Sequence, residues 1–171
     1  MFIGGGKYIE DIRKIKVDTG LRRICKMDVV PTSDAIGDWL RRDSGKKINC
    51  IKTTNDNFTT RILKKAKKEE FTLDIDAMEI EANKYDAQYT YNKVKGYMPL
   101  LGFIPELDLN IGYEFREGNV PPQDKNYEFT KEIIERVEQS GKKIKDFRSD
   151  SAGYQAKLMN YLNSKEGQNI Q

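Results

Sequence analysis

The period of the apolar residues changes near residue 70, and no single type of secondary structure accommodates both parts of the chain. In FTLDIDA, Phe71, Leu73, Ile75 and Ala77 alternate with Thr72, Asp74 and Asp76. That is the pattern of a strand with one apolar face and carboxylates on the other. Before it, Ile9, Ile12 and Ile15 recur at helical spacing, and Leu21, Ile24 and Cys25 follow Asp18, a candidate N-cap. Pro31 and the capping candidates Thr32 and Ser33 introduce Ile36, Trp39 and Leu40, read as core-facing, with a stop at Gly45. Phe58, Ile62, Leu63 and Ala66 then share one side of a further helix, and Lys64, Lys65, Lys67 and Lys68 crowd the rest.

After the first strand, GYMPLLGFI is a second apolar run in which Pro99 predicts an edge or a bulge. LDLNIGYEF puts Leu107, Leu109, Ile111, Tyr113 and Phe115 on one face, and its short link to the preceding run predicts a hairpin. Tyr89, Tyr91 and Tyr97 are expected to pack on the sheet. Phe129, Ile133, Ile134 and Val137 form one face of a helix that stops at Gly141. KKIKDFRSD reads as a strand closed by Asp150. A last helix follows, with Ser151 near its cap and Tyr154, Leu158 and Leu162 inward. The order strand, strand, strand, helix, strand, helix allows a three-strand antiparallel meander and then a crossover to a strand parallel to the first. In that topology Asp76 and Asp150, remote in sequence, end neighbouring strands.

Composition narrows the chemistry. Charged residues make up 33% of the chain but the net charge is only +3, so any nucleic-acid partner must be met by local clusters. Besides the lysines, Arg22, Arg23, Arg41 and Arg42 supply basic pairs. The absence of histidine removes the usual acid/base residue and the commonest transition-metal ligand. Cys25 and Cys50 lie far from any zinc spacing and read as reduced thiols. No apolar run approaches the roughly 20 residues of a membrane span, and MFIGGGKYIED has no signal-peptide pattern. The glycine triplet at 4–6 lacks the GK[ST] continuation of a phosphate loop.

Taken together, DIDAMEIEANK, AQYTYNKVKGYMPLLGFI, EFREGNVPP and FRSDSAGYQAKLMNY resemble the DDE transposases of bacterial insertion sequences, whose catalytic domain is ribonuclease H-like. GGGKYIEDIRKIKVD and PTSDAIGDWLRR resemble segments that precede that domain, so the resemblance spans nearly the whole chain. It implies an α/β fold: a partial ribonuclease H-like mixed sheet, the meander plus a parallel strand, with flanking helices. This domain is expected over 70–165, after a helical segment at 1–69 and before a disordered tail at 166–171. The resemblance implies that Asp76 and Asp150 are catalytic and metal-ligating, with Asp74 a weaker candidate. Arg116, Gly118 and Asn119 fall in an FREGN segment that shapes the site. Arg116 and Asn119, with Lys64, Lys65, Lys67 and Lys68, are the weaker candidates for DNA contact, a salt-sensitive mode when phosphates are the target.

The implied activity is cleavage and joining of DNA at the ends of a mobile element, in the bacterial cytoplasm, without a membrane or a small-molecule cofactor. Two Mg²⁺ or Mn²⁺ ions about 3.5–4 Å apart serve such chemistry, and hard cations favour carboxylate oxygen. The family's third carboxylate, a glutamate on a later helix, has no counterpart here, and Met78 stands where threonine is common. The glycine triplet, which lies well inside related proteins, begins here at residue 4. The expectation is an internal fragment with an incomplete two-metal site, inactive alone, whose partners are DNA and either itself or a full-length transposase. The alternative is a non-catalytic DNA-binding or oligomerising remnant that inhibits a full-length transposase. Further rivals are a relic without a stable fold, and a nuclease of another ribonuclease H-like family that draws its third carboxylate from Glu79, Glu81 or Glu114.

Overall fold

The computed structural model describes residues 5–42, 44–165 and 169–170. Gly4 of the glycine triplet and residues 166–168 and 171 of the tail lie outside the described residues. The chain divides into two compact units, Met1–Lys52 and Thr53–Gln171.

The first unit is helical. A 3-10 turn at Ile9–Asp11 leads into α1 (Ile12–Val17), α2 (Thr19–Ile24) and α3 (Ser33–Arg41). The capping candidates perform as expected: Asp18 accepts from the Leu21 N–H at 2.8 Å and Thr32 from the Ala35 N–H at 3.1 Å. Ile12, Ile15 and Val30 form a small buried cluster, with Leu21, Met27 and Ile36 against it. Trp39 corrects the core expectation, being 53% exposed; along α3 the cluster takes in Ile36 and stops there. Gly45 is likewise no stop, because α4 (Ser44–Lys65) runs through it. Glycine near a helix end forfeits less than glycine in the interior.

In the second unit, β1 (Glu70–Ala77) is followed by β2 (Ile80–Glu81), β3 (Gln88–Tyr89), β4 (Lys95–Tyr97), β5 (Leu100–Ile104) and β6 (Leu109–Glu114). Then come α5 (Asn126–Gln139), β7 (Lys143–Ser149), α6 (Ala156–Ser164) and β8 (Asn169–Ile170). The main sheet has the order β6-β5-β1-β7-β8, and β2-β4-β3 form a small separate sheet. β1, β5 and β6 are the antiparallel meander, and β7 lies parallel to β1. This is a ribonuclease H-like mixed sheet. Asn169–Ile170, in the segment expected to be an unstructured tail, instead pairs in parallel with Asp146 and Phe147 of β7.

The core lies on one face of the sheet. Phe71, Leu73, Ile75, Ile144 and Phe147 pack with Phe129, Ile133, Ile134 and Val137 of α5, Leu158 and Leu162 of α6, and Leu63 of α4. Close helix approach is bought by two glycines paired across β5 and β6: a Cβ on Gly102 or Gly112 would sit 2.5 or 2.9 Å from Cδ1 of Ile133. α5 ends as expected, with Gly141 at φ +76° and Lys142 N–H donating to the Val137 carbonyl at 3.2 Å.

Two strand expectations change in detail. Met98 and Pro99 split the predicted GYMPLLGFI strand between two sheets, β4 in the small one and β5 in the main one. Pro99 therefore marks neither an edge nor a bulge; it precedes β5, an interior strand, where its missing N–H costs nothing. The register of β6 slips opposite Gly102 and Phe103 of β5, leaving Ile111 as an extra residue, so Ile111 and Gly112 are both buried. The slip reverses the alternation, and Phe115 ends up 62% exposed.

Candidate metal centre

β1 and β7 run in parallel, and Ile75 is in register with Ser149. One residue further on stand Asp76, still within β1, and Asp150, just past the end of β7; neighbouring strands of a sheet lie about 5 Å apart. Alternation puts Asp74 and Asp76 opposite the buried Leu73 and Ile75. Arg148 is on that same open side, since it grips Asp74 with two hydrogen bonds of 2.6 and 2.8 Å. Asp150 is two residues beyond Arg148 and its backbone is still extended, at φ −70° and ψ −173°. The register thus brings both aspartates to the same end of the sheet.

Their local states differ. The Asp76 side chain is exposed and makes no hydrogen bond or ion pair among the described residues. Asp150 spends one oxygen on the Ala152 N–H, 2.9 Å away, capping the 3-10 turn Ser151–Gly153. Gly153 closes that turn against Ser149, because a Cβ there would lie 2.3 Å from the Ser149 hydroxyl. An open cleft of about 610 Å³ flanks the turn, lined by Phe147, Ser149, Asp150, Tyr154 and Met159 among others. Tyr154, expected inward, is 84% exposed because the 3-10 turn delays α6 until Ala156.

The donor set fits a hard divalent cation in part. Two exposed carboxylates at one end of a sheet can bind an ion that keeps most of its waters. Among the described residues no group of three His, Cys, Asp or Glu is placed to hold a metal ion. Asp74 is neutralised by Arg148. Glu114 is paired with Lys125 at 3.0 Å, and Glu79 accepts from Asn92 at 3.3 Å.

The basic candidates lie elsewhere or face inward. Lys64, Lys65 and Lys67 are exposed at the end of α4 and just beyond it, whereas Lys68 is bonded to Glu106 at 3.0 Å. They precede the start of β1, roughly 20 Å along the strand from Asp76 at about 3.3 Å per residue. Arg116 is 4% exposed. Its Nε donates to the Met98 carbonyl at 2.7 Å, and Nη1 to those of Pro122 and Asp124 at 3.2 and 2.7 Å. This corrects the expectation of DNA contact for Arg116: the guanidinium is turned into the protein and shapes the loop. Asn119 is exposed. Gly118 is tightly seated, for a Cβ would lie 2.4 and 2.5 Å from the Gln88 and Gly96 carbonyl oxygens. The FREGN box therefore docks the small sheet.

Tyr89 and Tyr91, expected to pack, are 67% and 68% exposed, while Tyr97 stacks obliquely on Phe115 at 4.8 Å. Sequence reasoning missed Asn126 altogether. It is 2% exposed and its Nδ2 donates to the Ala152 carbonyl at 3.1 Å, inside the turn that Asp150 caps. An asparagine opening a helix signals only a local cap, so no sequence pattern announced this long-range bond.

A family model described as transposase DDE domain group 1 matches residues 3–170. No curated protein and no solved structure matches the chain. Among the described residues no helix is long and apolar enough to cross a membrane.

Proposed function

Since the chain belongs to the transposase DDE domain family, we propose that Asp76 and Asp150 are two metal-ligating carboxylates of a site for cleaving and joining DNA at the ends of a mobile element. The observation that carries this reading is the parallel register of Ile75 with Ser149, which leaves both carboxylates at one sheet end. Mg²⁺ or Mn²⁺ bound there supplies charge neutralisation at a phosphodiester and activation of the attacking oxygen. The chain's own part is to present the Asp76 carboxylate and the uncapped Asp150 oxygen to the ion from rigid strand ends. Arg148, by holding Asp74, keeps a third like charge from competing beside them.

A two-carboxylate set secures one ion better than two, and displacement of about 1 Å in such a site costs on the order of a hundredfold in rate. The chain by itself is therefore a metal-binding and DNA-binding unit with little or no strand cleavage of its own. DNA contact falls to the exposed Lys64, Lys65, Lys67 and Asn119, an electrostatic mode that weakens steeply with salt. The same properties support an inhibitory role, in which the chain occupies element ends or assembles with an active transposase.

Mn²⁺ titration followed by electron paramagnetic resonance tests the reading on the purified chain and on Asp76→Asn and Asp150→Asn. Each variant is expected to weaken binding tenfold or more. Wild-type affinity in both folded variants sinks the metal assignment. Mn²⁺-dependent nicking of duplex DNA, lost in Asp76→Asn, would overturn the proposed lack of cleavage.

A further inference from the structure

We infer that Arg116 and Asn126 are positioning residues, bracing the two carboxylate-bearing strand ends through the loop that joins β6 to α5. The inference rests on the metal reading above and concerns what fixes the pair.

On the Asp76 side, the Met78 N–H donates to the Pro99 carbonyl at 3.0 Å, tying the exit of β1 to the entrance of β5. Arg116 holds the adjoining residue twice: Nε donates to the Met98 carbonyl at 2.7 Å, and the Met98 N–H donates to the Arg116 carbonyl at 3.0 Å. The other end of the guanidinium reaches the carbonyls of Pro122 and Asp124 in the loop. On the Asp150 side, Asn126 donates to the Ala152 carbonyl, and Gln155 Nε2 donates both to Ala152 and to Gln123 of the loop at 3.2 and 2.6 Å. Asp150 caps this turn through the Ala152 N–H. The loop segment 122–126 is thus held from the Met98 side by Arg116, at Pro122 and Asp124, and from the Ala152 side by Gln155, at Gln123, and by Asn126 itself.

Two further observations favour a brace over ordinary loop packing. Between the pinned residues, Lys125 stands in the left-handed region at φ +59°. A non-glycine residue stays there only when its surroundings over-determine it. Arg116 and Asn126 are also almost wholly buried, at 4% and 2% exposure, although each keeps a buried polar atom with no hydrogen-bond partner, Nη2 and Oδ1 respectively. Burying those groups is costly. A loop that merely had to be closed would be served by apolar side chains. Outer-shell groups that orient metal-ligating carboxylates commonly change affinity by roughly 10–100-fold when lost.

The experiment is the Mn²⁺ titration on the full chain carrying Arg116→Lys or Asn126→Ala, beside Asp150→Asn and the core variant Ile134→Val. Ile134 is buried on α5 and touches neither the loop nor the carboxylates' turn in the bonds described above. The brace predicts that Arg116→Lys and Asn126→Ala each weaken Mn²⁺ binding about tenfold or more while remaining folded, and that Ile134→Val leaves it unchanged. If Asp150→Asn weakens binding but folded Asn126→Ala and Arg116→Lys stay within twofold of wild type, the brace is refuted and the metal site stands. If Asp150→Asn and Asp76→Asn also bind as wild type, the site itself is refuted and the brace with it. Should Arg116→Lys fail to fold, Asn126→Ala alone decides. An equal loss in Ile134→Val would assign the effect to general softening and overturn the inference.

Discussion

Arg148 of β7 grips Asp74 of β1 with two hydrogen bonds of 2.6 and 2.8 Å, two residues before Asp150 and Asp76 respectively. The pair does two things. It ties the parallel strands together on their open side, and it sets a fixed positive charge beside the candidate ion site. Both partners are substantially exposed, at 46% and 33% of their side-chain surface, so its contribution to stability is small. Arg148→Gln is expected to lower stability by less than about 1 kcal/mol. It should tighten Mn²⁺ binding severalfold by removing a like charge. Denaturant melts and the Mn²⁺ titration check the two halves separately, and weaker Mn²⁺ binding in a folded variant would contradict the electrostatic argument.

Glu106 offers a pH-dependent contact on the opposite end of β1. Burial opposes its ionisation, yet hydrogen bonds from Lys68 and Thr72 outweigh burial and hold the carboxyl below its ordinary value of 4.5. A lowered folded-state pKa contributes stability that is complete above about pH 4.5, the unfolded value. That stability is lost as pH falls through the lower folded value. Glu106→Gln is expected to cost on the order of 1.5–3 kcal/mol at pH 7, with the difference from wild type shrinking below pH 4.5. Urea unfolding across pH 7 to 3 measures both; a difference that grows on acidification would reverse the sign.

Arg136 of α5 is turned toward the core and pairs with Asp56 of α4, while its Nη2 donates to the Ile111 carbonyl at 2.7 Å. Burial pushes this guanidinium below its usual pKa, so an ionic partner matters more than at the surface. Asp56→Ala is expected to lose roughly 1.5–3 kcal/mol, read from a shift in denaturation midpoint without a change in slope. A neutral result would mean that Arg136 is satisfied by the carbonyl alone.

Gly118→Ala tests the docking of the small sheet. A methyl group would meet two backbone carbonyl oxygens at 2.4 and 2.5 Å, and neither belongs to a flexible side chain. The expected cost is about 1–3 kcal/mol, with faster amide hydrogen exchange in β3 and β4 than in β1 and β7. Uniform exchange across both sheets would show that the small sheet is not a separate dependent element.

Much of this arrangement was legible in the sequence because it is local. Alternation in FTLDIDA, the amphipathic run from Phe129 to Val137, the stop at Gly141 and the caps at Asp18 and Thr32 each depend on neighbours a few residues away. Connection rules then placed the fourth strand parallel to the first and beside it, as β7 lies beside β1. Where the reading failed, the deciding partner was remote. Nothing in GYMPLLGFI says that its halves join different sheets, and nothing in LDLNIGYEF announces the slip opposite Gly102 that turns Phe115 outward.

The amino-acid order by itself determined the strands, the helices and the carboxylates at the ends of two of those strands, since period, caps and turns are set by short-range sterics and hydrogen bonding. Only the tertiary structure decided that Arg116 points inward, that Arg148 neutralises Asp74, and that Asn126 reaches the turn of Asp150. Each of those roles depends on which backbone oxygen or carboxylate another segment brings within hydrogen-bonding reach, and that meeting is a property of the packed chain and not of any local pattern.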